Sequence, residues 1–359
     1  MQVAIIGTGL IGGSLGLALR ARGHHVVAWD VDPDRLARAV DAGAAAVAAP
    51  DLAAAVAGCE VAVVAVPVAH VADLVVGALA AGAPVVTDVG SVKAPIIAAI
   101  AASGRDAARY VGGHPMAGSE QDGLAGADAD LFEGATWVLT PVPGTDPDAH
   151  TTVRALATAV GAEVVEVDPA EHDALVAVVS HVPQLAATTL MDVAAGAGEG
   201  SALLLRLAAG GFRDMTRIAA SHPAIWPDIC AANRGAIVDA LDRYVAALAD
   251  VRRMVDTGER AALLELLERA RVARRALPSS AAVAGPLAEV RVPVTDRPGV
   301  LAEVTTLAGS LGVNILDLEI VHSIEGDGGV LVLVVPAGAA GELTDALAAT
   351  GYHPVRSEL

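Results

Sequence analysis

Gly7-Thr8-Gly9-Leu10-Ile11-Gly12 follows the apolar run Val3-Ala4-Ile5-Ile6 and opens a helical stretch, LIGGSLGLALRARG, from Leu10 to Gly23. A strand running straight into a G-x-G-x-x-G turn and then a helix is the arrangement that holds a dinucleotide diphosphate. Gly7 permits the tight turn, Gly9 lets the backbone approach the pyrophosphate, and Gly12 lets the helix pack closely on the strand. The free N–H groups and positive dipole end of that helix suit an anion. The next apolar run ends in Asp30, 18 residues past Gly12. An acid there accepts hydrogen bonds from ribose hydroxyls and repels a 2′-phosphate, so the expected cofactor is NAD rather than NADP. Arg35 stands close enough to keep NADP in play. Thr8, Leu10 and Ile11 complete the expected cofactor-binding segment.

The same alternation continues outward. HVVAWD, VAVVAVP, PVVTDVG, ARYVGG and TWVLTP are short apolar runs separated by helical stretches, which reads as a parallel, doubly wound Rossmann-type sheet over residues 1–168. Residues 169–278 change character. Leu175, Val178, Val179, Val182 and Leu185 recur at helical spacing, and RYVAALADVRRMV and AALLELLERARVARRAL continue it, so this region reads as all-helical. LPSSAAVAGP, residues 277–286, resembles a linker. Residues 287–359 read as a ferredoxin-like βαββαβ unit, with strands in AEVRVPV, VNILDLEIVH, GGVLVLVVP and HPVRSE.

Composition narrows the function classes. The chain has 359 residues, enough for two or three domains, and is 54% hydrophobic but only 2% aromatic. Its mean hydropathy of +0.55 therefore reflects alanine and other small side chains, and no run of about 18 uncharged apolar residues reads as a membrane span. The N-terminus has no basic n-region and enters a strand at once, unlike a signal peptide. A net charge of −19 argues against nucleic acid and demands locally placed arginines for any anionic substrate. Cys59 and Cys230 are isolated, which fits neither a disulfide framework nor a zinc site, and points to a reducing cytoplasm with no metal.

The fourth apolar run ends in Thr87-Asp88-Val89-Gly90-Ser91-Val92-Lys93, and Gly112-Gly113-His114-Pro115-Met116-Ala117-Gly118-Ser119-Glu120 follows. Both segments stand after strands, where doubly wound sheets bind ligands. With Ser180-His181-Val182-Pro183, Gly211-Phe212-Arg213-Asp214-Met215-Thr216-Arg217-Ile218-Ala219 and Trp226-Pro227-Asp228-Ile229, the first 280 or so residues resemble the prephenate and arogenate dehydrogenase family. The resemblance implies oxidation of prephenate at its hydroxyl-bearing ring carbon, with hydride passing to NAD, and loss of the ring carboxylate as CO₂. That chemistry needs a proton acceptor, cations for carboxylates, and a dry pocket. His114 is the expected acceptor, since a neutral imidazole suits this role near neutral pH. Ser91 resembles the family serine that hydrogen-bonds the same hydroxyl.

Arg217 is the candidate carboxylate clamp. Arg213 stands four residues earlier on the same expected helix face, and Asp214 is placed to pair with Arg217. The resemblance implies that Glu120, Asp214 and Trp226 gate the substrate entrance and that His181 lines the pocket. Pro183 is expected to kink its helix and free the Val179 carbonyl. The helical region is implied to pair with its copy as a homodimer.

Thr295-Asp296-Arg297-Pro298-Gly299-Val300-Leu301, with Gly312-Val313-Asn314-Ile315, resembles the ACT domain that senses amino acids. Asp296, Pro298, Gly299 and Asn314, which is expected to begin the next strand, are the expected contacts to tyrosine or phenylalanine as effector. Arogenate as substrate stays open, with Asp122 placed to meet its ammonium. A β-hydroxyacid dehydrogenase would use a lysine in the helical domain, and no lysine follows Lys93. A non-catalytic sensor of NAD and amino acids is disfavoured by the intact set of Ser91, His114 and Arg217.

Overall fold

Val3 and Ile5 on one face of the first strand, and Ala4 and Ile6 on the other, belong to two separate buried clusters, as a central strand covered on both sides requires. The structure, a computed structural model, describes residues 1–118, 121, 123–196, 204, 207–208, 210–277, 286–295, 297–322 and 328–358. By internal contacts the chain divides into two units, Met1–Leu205 with Met215–Ala247, and Arg206–Asp214 with Leu248–Leu359.

The first unit begins with β1 (Gln2–Ile6), α1 (Leu10–Ala21), β2 (His25–Trp29), α2 (Pro33–Asp41), β3 (Val47–Ala48), α3 (Leu52–Val56), β4 (Val61–Val64) and α4 (Val68–Ala80). It continues through β5 (Val86–Asp88), α5 (Ala94–Ala102), β6 (Tyr110–Pro115), β7 (Thr136–Thr140), α6 (Pro147–Ala159) and β8 (Glu163–Glu166). The strands line up as β3-β2-β1-β4-β5-β6-β7-β8. The order reverses between β1 and β4, so the carboxyl ends of those two strands frame the ligand crevice of a doubly wound sheet.

The expectation of a wholly parallel sheet needs correction, because β6 and β7 pair antiparallel, His114 opposite Val138. A parallel return would need a crossover, usually a helix. Between those strands the described residues hold one short 3-10 turn, Gly123–Gly126. Two strands escaped the sequence reading. β3 has only two residues, and β8 is an edge strand whose residues are mostly exposed, so neither shows a buried apolar run.

The helical region holds α7 (Pro169–Val176), a π-helical turn (Ala177–His181), α8 (Val182–Ala195), α9 (Gly210–Thr216), a 3-10 turn (Arg217–Ala220), α10 (Trp226–Ala232) and α11 (Arg234–Thr257). The expected single apolar face also needs correction. Leu175, Val178 and Val179 are 50%, 49% and 63% exposed, whereas Val182 is buried. The π turn inserts an extra residue, which shifts the helical phase by about 100° and separates the two halves of the face. Pro183 follows the π turn within one continuous helix, and the wider turn accommodates a residue that cannot donate to the preceding carbonyls, in place of the expected kink. The run Pro169–Ala195 has a mean hydropathy of 1.5 and is long and apolar enough to cross a membrane by length and composition. Its buried stripe, however, includes the polar pair His172 and Asp173.

The second unit contains α9 up to Asp214, the end of α11 and α12 (Arg260–Arg275). It also contains β9 (Leu287–Thr295), α13 (Val300–Ser310), β10 (Asp317–His322), β11 (Gly328–Pro336), α14 (Ala337–Ala349) and β12 (Val355–Glu358). The strands order as β10-β11-β9-β12 with antiparallel neighbours, the ferredoxin-like βαββαβ topology. Val290, Val292, Leu331, Leu333, Leu343 and Leu347 form its core. Asn314 is exposed and precedes β10, which starts at Asp317, rather than beginning it. Of the expected linker, residues 278–285 lie outside the described residues.

Val178, Val182, Pro183, Met215, Ile218 and Tyr244 line an apolar cleft of about 500 Å³, and Val245 nearby in sequence is 60% exposed. The homodimer expected of this helical region would cover exposed apolar side chains such as these. Val178→Asp combined with Val245→Asp is expected to convert a dimer to a monomer in sedimentation velocity. A double variant that sediments like wild type would exclude this face as the contact.

Candidate active site

The glycine turn after β1 has the shape of a diphosphate cradle. Gly7 adopts φ +97°, and a Cβ on it would run into the Ala65 carbonyl after β4. A Cβ on Gly12 would strike the Gly7 carbonyl, whereas one on Gly9 would project into open space. No side chain caps the N-terminus of α1, and its first turn holds no acid. Leu10 and Ile11 are half-buried in that turn. Uncapped N–H groups, open space before Gly9 and an absence of competing negative charge fit a bound dinucleotide.

Asp30 is buried at 6% exposure. Thr8 donates to its Oδ2 through both backbone N–H and Oγ1, at 2.7 and 2.9 Å. Asp32 N–H donates to Oδ1 at 3.0 Å, and Arg35 Nη1 lies 3.6 Å from Oδ1. Three of roughly four acceptor positions are therefore occupied. Thr8 uses its polar atoms to hold Asp30, so its side chain supports the turn and does not itself face a cofactor.

Beyond β5 the site is built around a buried ion pair. Asp88 and Lys93 are fully buried and joined through Oδ2 and Nζ. Asp88 Oδ2 also accepts from Gly90 N–H at 2.9 Å, and Oδ1 accepts from Tyr110 Oη at 2.7 Å and Gly113 N–H at 3.1 Å. Lys93 Nζ donates to the Gly113 carbonyl at 2.7 Å. These bonds fix the Ser91 turn against the backbone that carries His114. Burial first, and the Asp88 charge second, raise the Tyr110 hydroxyl well above its ordinary pKa, so it stays a donor.

His114 lies at the carboxyl end of β6. Its Nδ1 is 2.9 Å from His172 Nε2, and His172 Nδ1 is 2.8 Å from Asp173 Oδ1. The two rings meet edge to face, at 77°. Asp173 also accepts from the backbone N–H groups of Lys93 and Ala94, at 2.8 and 2.9 Å, at the start of α5. His114 Nε2 has no hydrogen bond among the described residues. Burial, then the charges of Lys93, His172 and His181, push His114 well below the ordinary histidine pKa. It is therefore a neutral imidazole at physiological pH and able to accept a proton. The Ser91 hydroxyl, half-buried on the turn after β5, has no hydrogen bond among the described residues.

His181 ends the π turn and is 1% exposed. Asn233 Nδ2 lies 3.3 Å from its Nδ1 and donates to the Asp173 carbonyl at 2.8 Å. An amide NH₂ facing Nδ1 leaves the ring proton on Nε2, a buried atom with no partner among the described residues. Burial lowers the His181 pKa, so this ring too is neutral. Trp226 packs edge-on to it, centroids 6.2 Å apart, and donates to Ser221 Oγ at 3.2 Å.

The arginines are placed differently from expectation. Arg213 is exposed on α9, but that helix ends at Thr216 and Arg217 opens a 3-10 turn. The shared face assumed for one continuous helix does not exist. Asp214 is exposed and belongs, with Arg213, to the second unit. Glu120, Asp122 and Asp296 lie outside the described residues. Pro298 and Gly299 are exposed at the start of α13, whose N-terminus has no side-chain cap. Beside it Arg297 binds both oxygens of Glu303, at 2.8 and 2.6 Å, and holds that carboxyl down to about 2.

Lys93, Tyr110, His172, Asp173 and Asn233 were not singled out from sequence. The buried stripe of α7 is Pro169, His172, Asp173 and Val176, spaced i, i+3, i+4, i+7. The sequence phase was instead taken from Leu175, Val178 and Val179, the opposite face. Two adjacent polar residues on the inward face of an apolar helix were the available signal.

Residues 15–166 match the prephenate dehydrogenase nucleotide-binding domain, and residues 168–269 the prephenate dehydrogenase dimerization domain. The chain is 32% identical over 335 residues to prephenate dehydrogenase of Bacillus subtilis, covering 92% of this chain and 90% of that protein. Among solved structures, prephenate dehydrogenase from A. aeolicus in complex with hydroxyphenyl propionate and NAD+ superposes with a TM-score of 0.71 at 28% identity. That match covers 77% of this chain and 97% of the other. Arogenate dehydrogenase of Synechocystis superposes with a TM-score of 0.67 at 29% identity, covering 77% and 99%.

Two outcomes follow from the buried charges. Lys93→Met leaves the Asp88 carboxylate buried without its cation, which is expected to cost about 3–5 kcal/mol in urea unfolding. A loss under about 1 kcal/mol would contradict the buried pair. The second concerns pH. With its folded pKa depressed, His114 is protonated in the unfolded chain at about pH 6.5 but not in the folded one. The unfolded state then binds more protons, so stability falls as pH drops below about 6.5. Between pH 7.5 and 5.5, roughly, His114→Gln should lose less stability than wild type, and equal losses would place His114 in water.

Proposed function

The chain belongs to the prephenate dehydrogenase family, and on that premise we propose that it converts prephenate to 4-hydroxyphenylpyruvate in tyrosine biosynthesis, using NAD. The observation that carries this reading is His114, a neutral ring beside the nucleotide crevice with Nδ1 engaged and Nε2 open. Nicotinamide, when bound, accepts the hydride from the hydroxyl-bearing ring carbon. His114 Nε2 takes the hydroxyl proton as that carbon is oxidised, and Ser91 orients the hydroxyl. The ring carboxylate then leaves as CO₂, its bonding electrons enter the ring, and the oxygen recovers the proton as the phenol forms. Protons balance, so neither metal nor covalent nucleophile is required.

In this reading Gly7, Gly9, Gly12 and the N-terminus of α1 hold the diphosphate. Asp30, already anchored by Thr8, offers its remaining acceptor position to the ribose. Arg217 meets a substrate carboxylate, His181 donates from Nε2 and Trp226 borders the entry, while roles for Arg213, Asp214 and Glu120 rest on the family resemblance alone. The dimerization-domain match and the open apolar face support a homodimer. Tyrosine or phenylalanine acting at Asp296, Pro298, Gly299 and Asn314, in a module of ACT type, is a further part of the reading. The uncapped N-terminus of α13 supports it. A cytoplasmic location accords with the free cysteines.

The experiment is NADH formation by purified protein with NAD, comparing prephenate with arogenate, each with and without tyrosine. Turnover of prephenate is expected, with kcat lowered about 10²–10⁴-fold by His114→Asn. Turnover of arogenate alone would keep the chemistry and move the substrate, making Asp122 the next position to change. NAD binding without turnover of either would overturn the catalytic reading in favour of a sensor.

A further inference from the structure

His172 and Asp173 are 2% and 5% exposed on the inward face of α7, and no step above uses them. Asp173 spans two jobs. Both its oxygens receive backbone N–H groups at the start of α5, and Oδ1 also meets His172 Nδ1. An oxygen pair already facing fixed donors is a carboxylate and acts only as an acceptor. His172 therefore carries a proton on Nδ1, and in its single-proton form this leaves a lone pair on Nε2. That lone pair lies 2.9 Å from His114 Nδ1, so Nδ1 of His114 carries a proton and its Nε2 does not. The chain of contacts dictates which nitrogen of His114 is the base.

The same chain bears on charge. When His114 takes a proton the ring becomes an imidazolium in a buried setting. Lys93 faces it from the turn before α5, His172 across the hydrogen bond and His181 from the π turn, and a positive charge on any of the three opposes it. Asp88 and Tyr110 lie beside it on β5 and β6, with the Asp88 carboxylate already joined to Lys93. The Asp173 carboxylate is joined to the ring through His172, by the contacts from Asp173 Oδ1 to His172 Nδ1 and from His172 Nε2 to His114 Nδ1.

We infer that His172 and Asp173 are positioning residues for the proton transfer, fixing the His114 tautomer through His172 Nε2 and offsetting the charge His114 acquires. The inference rests on the reading of His114 as proton acceptor. Glutamine at 172 can bring a side-chain oxygen close to the place of Nε2, and so can still accept from His114 Nδ1–H. Leucine fills similar volume and accepts nothing.

The test compares His172→Leu, His172→Gln and His114→Asn in the full chain, with NAD affinity as a check on folding. His172→Leu is expected to lower kcat about 10²-fold while KM for prephenate and NAD affinity stay within about twofold. His172→Gln should recover most of that loss. Ring-¹⁵N NMR of wild type should show His114 protonated at Nδ1 and bare at Nε2, a preference that His172→Leu abolishes. If His114→Asn turns over normally, the reading of His114 itself fails. If His114→Asn is inactive but His172→Leu has wild-type kcat, the positioning role is overturned. Should His172→Leu not fold, the wild-type spectrum decides, because a proton found on Nε2 of His114 sinks the inference alone.

Discussion

The buried pair between Asp88 and Lys93 is the constraint on which the rest of the site depends. Two charges removed from water are costly, and attraction between them offsets that cost only when the remaining lone pairs and protons are also satisfied. Here they are. Asp88 takes Gly90 N–H, Tyr110 Oη and Gly113 N–H besides the ammonium, and Lys93 reaches the Gly113 carbonyl. Those partners come from the ends of β5 and β6 and from the turn between β5 and α5. Because every bond is needed to keep the charges covered, the turn bearing Ser91 and the backbone before His114 cannot drift apart. The pair acts as a clamp on local geometry, with any gain in stability a lesser matter.

The clamp also sets the electrostatics. Burial and the Lys93 charge both hold His114 below the ordinary histidine pKa, in a chain of net charge −19. A depressed histidine pKa keeps the base neutral. It also makes that ring a weaker proton acceptor.

One helical run carries two functions on its two faces. The inward stripe of α7 holds His172 and Asp173, and the π turn presents His181 toward Asn233. The outward face leaves Leu175, Val178 and Val179 open in the single chain. The extra residue of the π turn lets both be true, because it rotates the residues that follow relative to those before. The exposed apolar face and the contacts to His114 and Asn233 therefore share the same piece of backbone.

The amino-acid sequence by itself determined the Rossmann-type domain, the glycine turn, Asp30, His114 and the ferredoxin-like C-terminal unit, since each depends on local periodicity or on a short motif. The direction of β7, the edge strand β8 and the break between Thr216 and Arg217 were decided by tertiary structure. Strand direction follows from what fills the connection, and a helix end follows from packing on neighbours rather than propensity. The polar network escaped for a related reason. Lys93, Tyr110, the adjacent pair His172 and Asp173, and Asn233 are distant from one another in sequence, and each is ordinary in an apolar run. Only folding brings their donors and acceptors within 3.3 Å of partners, and only burial makes each of those bonds obligatory.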